Sequence, residues 1–481
     1  MFPTFEEAIA DIHDGASIMV FHWGLGRSTQ NLIRALYEKG TKDLTIISHN
    51  FIPARLGEHV FGLTEVYTPL ILANQVKRVI TSRLGGIERL KDGNGLTLAE
   101  RVAAGGVELE VMSHGTMAQR IRAGGGGLGG FYTPVGVGTI VEKGKEKRVI
   151  DGKEYILEKP LRADFGFVRA YKADRRGNLV YRGSVRGCNP LIAMACDVTI
   201  AEVEEIVEVG ELDPEVIVTP EVFVHRIVKI PEGGQGSRSS MESLFHKTLR
   251  DIRETGQMKE RLSGEKIAMR VAKEFKDGDY VNLGVGIGSL CTLFMPPDKE
   301  VFFQAEQGVV GYTRTLSEEE LEIADLDYVS IGGFIPLPSP GMSVFDIATS
   351  FDMIVGKHLD CTVLGGLEVS ERGDLANWTK GSVATAGGIG GAMDLAVGAK
   401  RVIVAMTHID KKGNPKIVRE CKFPLTAKEC VDLIVTDLAV IEVASQGLLL
   451  KEIAPGRTVE EVQALTEPNL IIADDLCEIE L

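Results

Sequence analysis

Residues 301–312 read VFFQAEQGVVGY, and this stretch gives the first strong indication of the fold. Apolar side chains flank Gln304, which predicts a short buried strand over residues 301–305. Glu306 follows this strand directly, and Gln307-Gly308 predicts a turn. A carboxylate at the carboxyl end of a buried strand lies where open α/β sheets bind their ligands. Glu306 is therefore a candidate functional residue, although most glutamates are simply exposed.

Length and composition restrict the class of protein. The chain has 481 residues, 44% hydrophobic and 25% charged, as in an ordinary soluble globular protein of roughly two to four domains. A net charge of −15 argues against a general binder of nucleic acid or anionic membranes. The N-terminus lacks an apolar core of signal-peptide length, and no run of about eighteen apolar residues predicts a transmembrane helix. These features predict a cytoplasmic protein.

The cysteines and histidines show no metal-binding pattern. Seven cysteines are scattered without a CxxC pair, and the nine histidines lack the spacing of metal ligands. We interpret the cysteines as reduced, buried thiols and predict no metal site. The chain also lacks a Walker A lysine motif, a GxSxG elbow and an HExxH motif. None of those chemistries is therefore predicted.

The order of turns and glycine loops repeats in the two halves of the chain. In the first half a predicted helix, Asp14-Gly15 and a strand precede the loop Gly24-Leu25-Gly26 and a further helix. In the second half a helix, Asp277-Gly278 and a strand precede the glycine loop 284–288 and a helix. Alternating strands and helices predict parallel sheets. The repetition predicts two related domains fused on one chain.

We predict an α/β fold of two related three-layer domains with mostly parallel sheets. Residues 1–230 form the first domain, residues 231–262 a linker by composition, and residues 263–481 the second domain. Within the first domain, residues 198–207 are predicted to run from a strand into a helix. The glycine run 124–130 is either a flexible linker or a packed functional loop.

The glycine loop 284–288 does not predict a dinucleotide site. Its spacing is G-x-G-x-G, whereas the dinucleotide fingerprint is G-x-G-x-x-G. No acidic residue occupies a clear ribose-binding position about 20 residues further on. We therefore look elsewhere for the function of this loop.

A set of short motifs runs through nearly the whole chain in a fixed order. They occupy residues 115–116, 120–125, 131–134, 172–174, 177–178, 203–207, 282–284, 286–288, 306–308, 373–378 and 390–395. With these motifs the chain resembles the family I coenzyme A transferases of the succinyl-CoA:3-oxoacid type. The two subunit-like halves of that family are carried here on one polypeptide.

The resemblance implies a set of site residues in the second half. The family's nucleophilic glutamate falls on Glu306, although its usual Glu-Asn-Gly motif reads Glu306-Gln307-Gly308 here. The glycine whose backbone N–H stabilises the oxyanion falls on Gly391. The other second-half glycines implied to contact substrate are Gly284, Gly286, Gly288 and Gly390.

The departures from the family pattern lie mainly in the first half. His114 replaces a usual Gln, and His49 beside Asn50 replaces a usual Asn. The usual Gly-Phe-Gly-Leu-Cys-Gly-Ile-Pro-like loop begins His22-Trp23 here, and Ser289 follows Gly288 where Pro is usual. We predict that His114 donates to the oxyanion; the alternative is that these side chains are satisfied structural residues. The first-half residues predicted to contact the substrate acid are His22, Trp23, Gly24, Gly26 and His49.

The resemblance implies ping-pong transfer of CoA between an acyl-CoA and a carboxylic or 3-oxo acid. Glu306, taken as ionised at pH 7, would carry CoA as a glutamyl thioester, with no metal or other cofactor. The implied partners are these small molecules and a second copy of the chain, with no nucleic acid or membrane. Two alternatives remain: an acyl-CoA hydrolase, and a non-catalytic sensor of CoA esters or sugar phosphates on the same fold. Retention of Glu306 together with Gly391 weighs against the sensor.

Overall fold

A computed structural model of the chain shows two large sheets, one in each half. The structure describes residues 1–22, 28–50, 55–56, 59–60, 67–84, 91–234, 237–238, 242, 245–246, 262–317, 319–328, 335–381 and 387–481. Most of the predicted linker 231–262 lies outside these residues.

The first half is built on an eight-stranded sheet. The strands of this half, in the large sheet and in two small ones, are β1 (Ser17–Val20), β2 (Leu44–Asn50), β3 (Arg55–Leu56), β4 (His59–Val60), β5 (Val76–Arg83), β6 (Glu108–Val111), β7 (Phe131–Thr133), β8 (Lys147–Ile150), β9 (Lys153–Glu158), β10 (Ala163–Asp174), β11 (Leu179–Val180), β12 (Cys196–Val207) and β13 (Arg226–Lys229). The strand order is β13-β12-β10-β1-β2-β5-β6, with β11 paired to β10. Every pair along that path is parallel, and β11 is antiparallel. Strands β3 and β4 form a hairpin, and β7-β9-β8 form a small separate sheet.

The second half contains a ten-stranded sheet. Its strands and those of a small sheet are β14 (Tyr280–Leu283), β15 (Phe302–Ala305), β16 (Val309–Tyr312), β17 (Ser343–Val344), β18 (Cys361–Leu364), β19 (Glu368–Ser370), β20 (Leu375–Ala376), β21 (Val402–Ala405), β22 (Ile417–Val418), β23 (Leu433–Val435), β24 (Ala439–Ala444), β25 (Gly447–Ile453) and β26 (Leu470–Glu478). The order is β17-β16-β15-β14-β18-β21-β23-β24-β25-β26, and β20-β19-β22 form the small sheet. The central pairs from β15 to β23 are parallel, while β16, β17, β24 and β25 add antiparallel pairs.

Helices cover both sheets. Those of the described residues are α1 (Phe5–Ala8), α2 (Gln30–Lys39), α3 (Thr68–Leu72), α4 (Leu98–Ala103), α5 (His114–Gly125), α6 (Asn189–Ala195), α7 (Leu262–Ala272), α8 (Ile347–Val355), α9 (Ala392–Gly398) and α10 (Val459–Ala464). None of them is long and apolar enough to cross a membrane.

The two halves share a hydrophobic core where three helices meet. Met117 and Ile121 of α5 belong to the same buried cluster as Phe351 of α8 and Leu395 of α9. All four side chains are almost fully buried. Apolar burial of this kind is non-directional, so polar contacts must fix the register of the two halves. The contacts that do so lie at the amino ends of α5 and α9, described below.

Two local features bear on the sequence predictions. Residues 198–207 lie in one strand, Cys196–Val207, so the predicted change from strand to helix is wrong; parallel ladders with β10 and β13 hold this segment extended. The glycine run 124–130 is packed at its start, because a Cβ at Gly124 would overlap the Leu161 carbonyl oxygen. That observation favours the packed-loop alternative. The α/β class with mostly parallel sheets is confirmed.

Candidate active site

Glu306 lies at the carboxyl end of β15 in the second sheet. Its side chain is only 3% exposed. The next two residues turn the chain, and Gly308 donates its N–H to the Ala305 carbonyl at 3.0 Å. Gly308 has a φ of +115°, and a Cβ there would overlap the Phe345 carbonyl oxygen. This turn therefore requires glycine. After the turn, the chain re-enters the sheet as β16, which pairs with β15.

A chain of buried hydrogen bonds supports the end of β15. The Asn282 Nδ2 donates to Gln304 Oε1 at 2.6 Å. Gln304 Nε2 donates to Ser350 Oγ at 2.6 Å, and Ser350 Oγ donates to the Ala305 carbonyl at 3.4 Å. The chain ties β14, β15 and α8 together immediately before Glu306. Buried hydrogen bonds that link three elements in this way restrict the geometry of the end of β15.

Gly391 packs directly against the Glu306 carboxyl group. A Cβ at Gly391 would lie 2.5 Å from Glu306 Cδ and from both carboxylate oxygens. Gly391 is the N-terminal capping residue of α9. Because real Cβ contacts are never this short, only glycine leaves room for the carboxyl group in this position.

The first half reaches this glycine loop through His114. The His114 backbone N–H donates to the Gly390 carbonyl at 2.9 Å, and Ser82 Oγ donates to the same oxygen at 3.3 Å. The His114 Nε2 lies 4.0 Å from the place a Gly390 Cβ would take. The structure therefore brings the predicted residues His114, Gly390, Gly391 and Glu306 together from the two halves.

His49 lies beside this group, on the side of the site that is built by the first half and is here called the first-half wall. Its ring centroid lies 5.7 Å from that of His114 and 5.9 Å from that of Phe21. Burial lowers the pKa of His49 to about 3 and holds the pKa of His114 well below its usual value. Both imidazoles are therefore neutral at pH 7. The His49 Nε2 is buried and has no hydrogen-bond partner among the described residues.

His22 follows β1 at the same wall. Its carbonyl accepts a 3.3 Å hydrogen bond from Asn50 Nδ2, and its ring meets that of Tyr67 edge-on at a centroid distance of 6.0 Å. The neighbouring predicted residues Trp23, Gly24 and Gly26 lie outside the described residues. His22 is buried and lies one strand away from His49, since β1 pairs with β2.

The predicted glycine loop 284–288 lies at the carboxyl end of β14, the strand beside β15. Gly284 donates its N–H to the Val363 carbonyl at 2.8 Å. A Cβ would lie 2.8 Å from that oxygen at Gly284 and 3.0 Å from it at Gly288, while Gly286 has a φ of +97°. A 3₁₀ helix over Gly288–Leu293 replaces the predicted α-helix. The loop shares a sheet edge with Glu306.

Burial changes the expected protonation of Glu306. Its pKa is raised to about 8, first by burial and then by the nearby Asp394 carboxylate, against a smaller lowering by Arg83. The Oε2 of Glu306 has no hydrogen-bond partner within the described residues. Burial therefore works against the expected ionised carboxylate at pH 7 and favours the protonated form in the free protein.

Asp394 is a site residue that sequence reasoning missed. This fully buried carboxylate in α9 accepts from Ser113 Oγ at 2.9 Å and from the Gly115 N–H at 3.1 Å. Burial raises the pKa of Asp394 to about 7. The only sequence signal was an aspartate within an otherwise apolar helix next to Gly391.

These residues form a buried acidic site at the junction of two α/β domains. In the part of the chain that the structure describes, no group of three His, Cys, Asp or Glu side chains could hold a metal ion. The arrangement defines a two-domain α/β enzyme whose site pairs a carboxyl group with glycine backbone and neutral imidazoles. The profile described as Coenzyme A transferase matches residues 2–230 and 264–465, and the chain belongs to this family.

Individual relatives agree with this assignment. Mitochondrial succinyl-CoA:3-ketoacid coenzyme A transferase 2A of Mus musculus is 38% identical over 98% of this chain and 89% of its own. One of the subunits of 3-oxoadipate CoA-transferase from Acinetobacter baylyi is 44% identical over 47% of this chain and 93% of its own. An acyl-CoA transferase of E. coli O157:H7, solved as a thioester complex with CoA, shares the fold: its TM-score is 0.77 at 20% identity, over 99% of this chain and 94% of that one.

These findings test three of the predictions made from the sequence. The family resemblance and the prediction of an enzyme that transfers CoA are confirmed. The predicted cytoplasmic location is wrong, because the succinyl-CoA:3-ketoacid relatives that match over nearly the full chain are mitochondrial proteins. That prediction rested on the lack of a secretory signal and of a transmembrane run. Neither feature distinguishes the cytosol from the interior of an organelle.

Proposed function

We propose that the protein moves CoA between an acyl-CoA and a carboxylic or 3-oxo acid through a glutamyl-CoA thioester on Glu306. The observation that carries the proposal is the Glu306 carboxyl group, buried and packed on the backbone of Gly391. The relatives supply the substrate class, since they are named for succinyl-CoA, 3-ketoacids and 3-oxoadipate. A homodimer or higher homo-oligomer is part of the proposal, and sedimentation measures it.

The reaction consists of four acyl transfers. The Glu306 anion attacks the thioester carbonyl, and CoA leaves as a thiolate, which gives an acyl-glutamyl anhydride. The thiolate then attacks the glutamyl carbonyl, so that the first acid leaves and a glutamyl-CoA thioester forms. The carboxylate of a second acid attacks this thioester and expels the thiolate. Attack of the thiolate on the new acyl carbonyl completes the second acyl-CoA and restores the Glu306 carboxylate.

Each step passes through a tetrahedral oxyanion that needs hydrogen-bond donors. We assign this role to the Gly391 N–H and to the neutral imidazole of His114, which can donate as an amide does. Loss of one such donor costs about 3 kcal/mol of transition-state stabilisation. The His114 backbone bonds to the Gly390 carbonyl, so the two assigned donors are held close together although they come from different halves of the chain.

The burial of the site supports transfer in preference to reaction with water. Glu306, His49 and His114 are each at most 3% exposed. A site closed to water protects an anhydride or a thioester until the second acid arrives. Because the imidazoles beside Glu306 are neutral, they add no further charge to the buried site.

Covalent loading of Glu306 is the direct test. The protein is incubated with succinyl-CoA or acetyl-CoA alone, treated with borohydride, digested and analysed by mass spectrometry. We expect a CoA-dependent modification on the peptide that contains Glu306, and none in Glu306→Gln. The matched control is Glu368→Gln, because Glu368 is also a buried second-half glutamate but accepts from the Lys422 backbone. An adduct on a cysteine, or full turnover by Glu306→Ala, would contradict the proposal.

A further inference from the structure

Asp394 connects the two halves at the point where they build the site. Its Oδ1 accepts from Ser113 Oγ at 2.9 Å, and its Oδ2 accepts from the Gly115 N–H at 3.1 Å. These two residues are the sequence neighbours of His114 on either side. The bonds join positions that lie 281 and 279 residues apart in the chain. Asp394 therefore holds the backbone that carries His114 from the opposite domain.

The space around Asp394 is fitted to this contact. A Cβ at Gly115 would overlap Asp394 Oδ1 and would lie 2.6 Å from the ring of Phe351. Ser113 is the N-terminal capping residue of α5, and its hydroxyl also accepts from the Thr116 N–H. The carboxylate thus accepts from the Gly115 N–H, one of the free N–H groups in the first turn of α5, as well as from the hydroxyl of its cap. The Asp394 carboxylate can come this close to the start of α5 only because residue 115 is a glycine.

We propose that Asp394 is a positioning residue of the transfer reaction, which clamps His114 over the oxyanion glycines and governs the proton on Glu306. The kinetic part of this inference rests on the proposed function; the part about the proton does not. Asp394 follows Gly391 by one turn of α9, so a single short segment carries both the glycine on which Glu306 packs and the carboxylate that faces it.

The two buried carboxyl groups differ in their hydrogen bonds. Asp394 accepts two bonds from the first half, whereas Glu306 Oε2 has no partner among the described residues. Hydrogen bonds favour the charged form of a carboxyl group, and a like charge nearby disfavours it. This difference favours the negative charge on Asp394 and the proton on Glu306 while the site is empty of substrate.

Other titratable groups near the pair do not reverse this division. Arg83 lowers the pKa of Glu306, but burial and Asp394 outweigh it. His49 and His114 are buried with lowered pKa values, so they stay neutral through the range in which the carboxyl groups titrate. After burial, the charge of Asp394 is thus the main cause that favours protonation of Glu306.

Direct titration of Glu306 tests the control of its proton without any turnover. Glutamate carbons labelled with ¹³C at Cδ are followed by NMR from pH 5 to 10, and Glu306→Gln assigns the resonance. Asp394→Asn keeps the shape of the side chain but removes its negative charge, so the midpoint of the Glu306 titration should fall by about one pH unit or more. Ser113→Ala removes one donor to Asp394 and should give a smaller shift in the same direction.

The control for a general loss of contact between the halves is Asp352→Asn. Asp352 of α8 also bridges to α5, where it accepts from Gln119 Nε2 at 2.7 Å and from Arg122 Nη1 at 2.9 Å, but it is half exposed. Its replacement should leave the Glu306 titration unchanged. Equal shifts in Asp352→Asn and Asp394→Asn, or no shift in Asp394→Asn, would overturn the inference.

The clamp is tested separately at pH 9, where Glu306 is ionised in every variant. Asp394→Asn can still accept from the Gly115 N–H, whereas Asp394→Ala cannot. We expect kcat for acyl exchange to be about 100-fold lower in Asp394→Ala than in Asp394→Asn, with little change in KM for the acyl-CoA. Equal kcat values at pH 9 would refute the clamp. If the wild type shows no exchange with any acid, the proposed function fails, while the NMR titration still decides the role of Asp394 in protonation.

Discussion

The two walls of the site are built on different principles. On the second-half wall, Glu306 and Gly391 fit each other through backbone geometry, and the family motifs are kept there except for Gln307, where Asn is usual. On the first-half wall, His49 and His114 stand where the family usually has amides, and the His49 Nε2 has no partner among the described residues. We therefore expect steric constraint in one domain to fix the chemistry, and the side chains of the other domain to determine the choice of acid.

The steric constraint makes Gly391→Ala the change with the largest expected effect. The added Cβ would lie 2.5 Å from the Glu306 carboxyl group and must displace it from the oxyanion donors. We expect the rate of Glu306 loading to fall about 1,000-fold, which corresponds to about 4 kcal/mol. Stopped-flow release of CoA from acyl-CoA measures that rate.

A matched control lies in the same loop. A Cβ added at Gly387 would have no heavy atom of the described residues within 4 Å, and this glycine has no positive φ, so Gly387→Ala should load at nearly the wild-type rate. If Gly391→Ala stays within tenfold of the wild type, the second-half wall is not governed by packing on this glycine. The contrast between the two walls would then be lost.

The pH dependence of loading gives the next largest effect. Because the pKa of Glu306 is raised to about 8, its nucleophilic anion is the minor form at neutral pH and increases as pH rises. We expect kcat/KM for acyl-CoA to rise about tenfold per pH unit up to pH 8 and then to level off, with a value at pH 6 about 100-fold below the plateau. A flat profile between pH 5 and 8 would show that Glu306 is ionised throughout.

Stability should vary with pH in the opposite sense. The raised pKa of Glu306 means that the folded state holds this proton more tightly than the unfolded state does. The contribution of Glu306 to stability is therefore fully present below about pH 4 and is lost as pH rises through 8. Glu306→Gln cannot ionise, so urea unfolding should find it more stable than the wild type at pH 9, with a smaller difference at pH 5.

The fold was predictable because its pattern is local. Strands that alternate with helices across glycine turns indicated parallel sheets, and the strand-turn context marked Glu306. The segment 198–207 was misassigned because its extended form is imposed by ladders with β10 and β13, which the local sequence does not contain. The protonation of Glu306 was likewise not predictable, since burial and the Asp394 charge arise only when both halves are assembled.

The site was predictable where a motif carries it and unpredictable where distant contacts do. Gly391 was found through a motif, whereas the role of Asp394 depends on Ser113 and Gly115, about 280 residues away. The first-half histidines stood out only as departures from a family pattern. Their proximity, with ring centroids 5.7 Å apart for His49 and His114, is a property of the tertiary structure.

The buried hydrogen bonds that support the end of β15 predict a moderate loss of stability when one of them is removed. Ser350→Ala removes the acceptor of Gln304 Nε2 and leaves a buried amide unpaired. We expect the free energy of unfolding to fall by about 1–3 kcal/mol in urea titrations, with slower loading of Glu306. Ser445→Ala is the control, because Ser445 is exposed and its hydroxyl donates to the side chain of the adjacent Gln446. Equal stability of the two variants would mean that the buried chain does not hold β15.

The smallest effect is expected on the first-half wall, from His114→Gln. Both side chains are neutral donors, so this change restores the usual family residue without removing the assigned oxyanion contact. We expect acyl exchange to stay within about tenfold of the wild type, a change below about 1.4 kcal/mol. Exchange between acyl-CoA and acid, and release of free CoA without acid, are measured in both proteins.

The same experiment decides between transfer and hydrolysis. An imidazole can activate water where an amide cannot, and this is the physical basis of the hydrolase alternative. Burial holds the pKa of His114 well below its usual value, however, which makes the ring a weak proton acceptor and disfavours that role. Exchange should therefore clearly exceed hydrolysis in the wild type. If CoA is instead released at one rate with or without every acid tried, and His114→Gln abolishes that release, His114 is a base and the protein is a hydrolase.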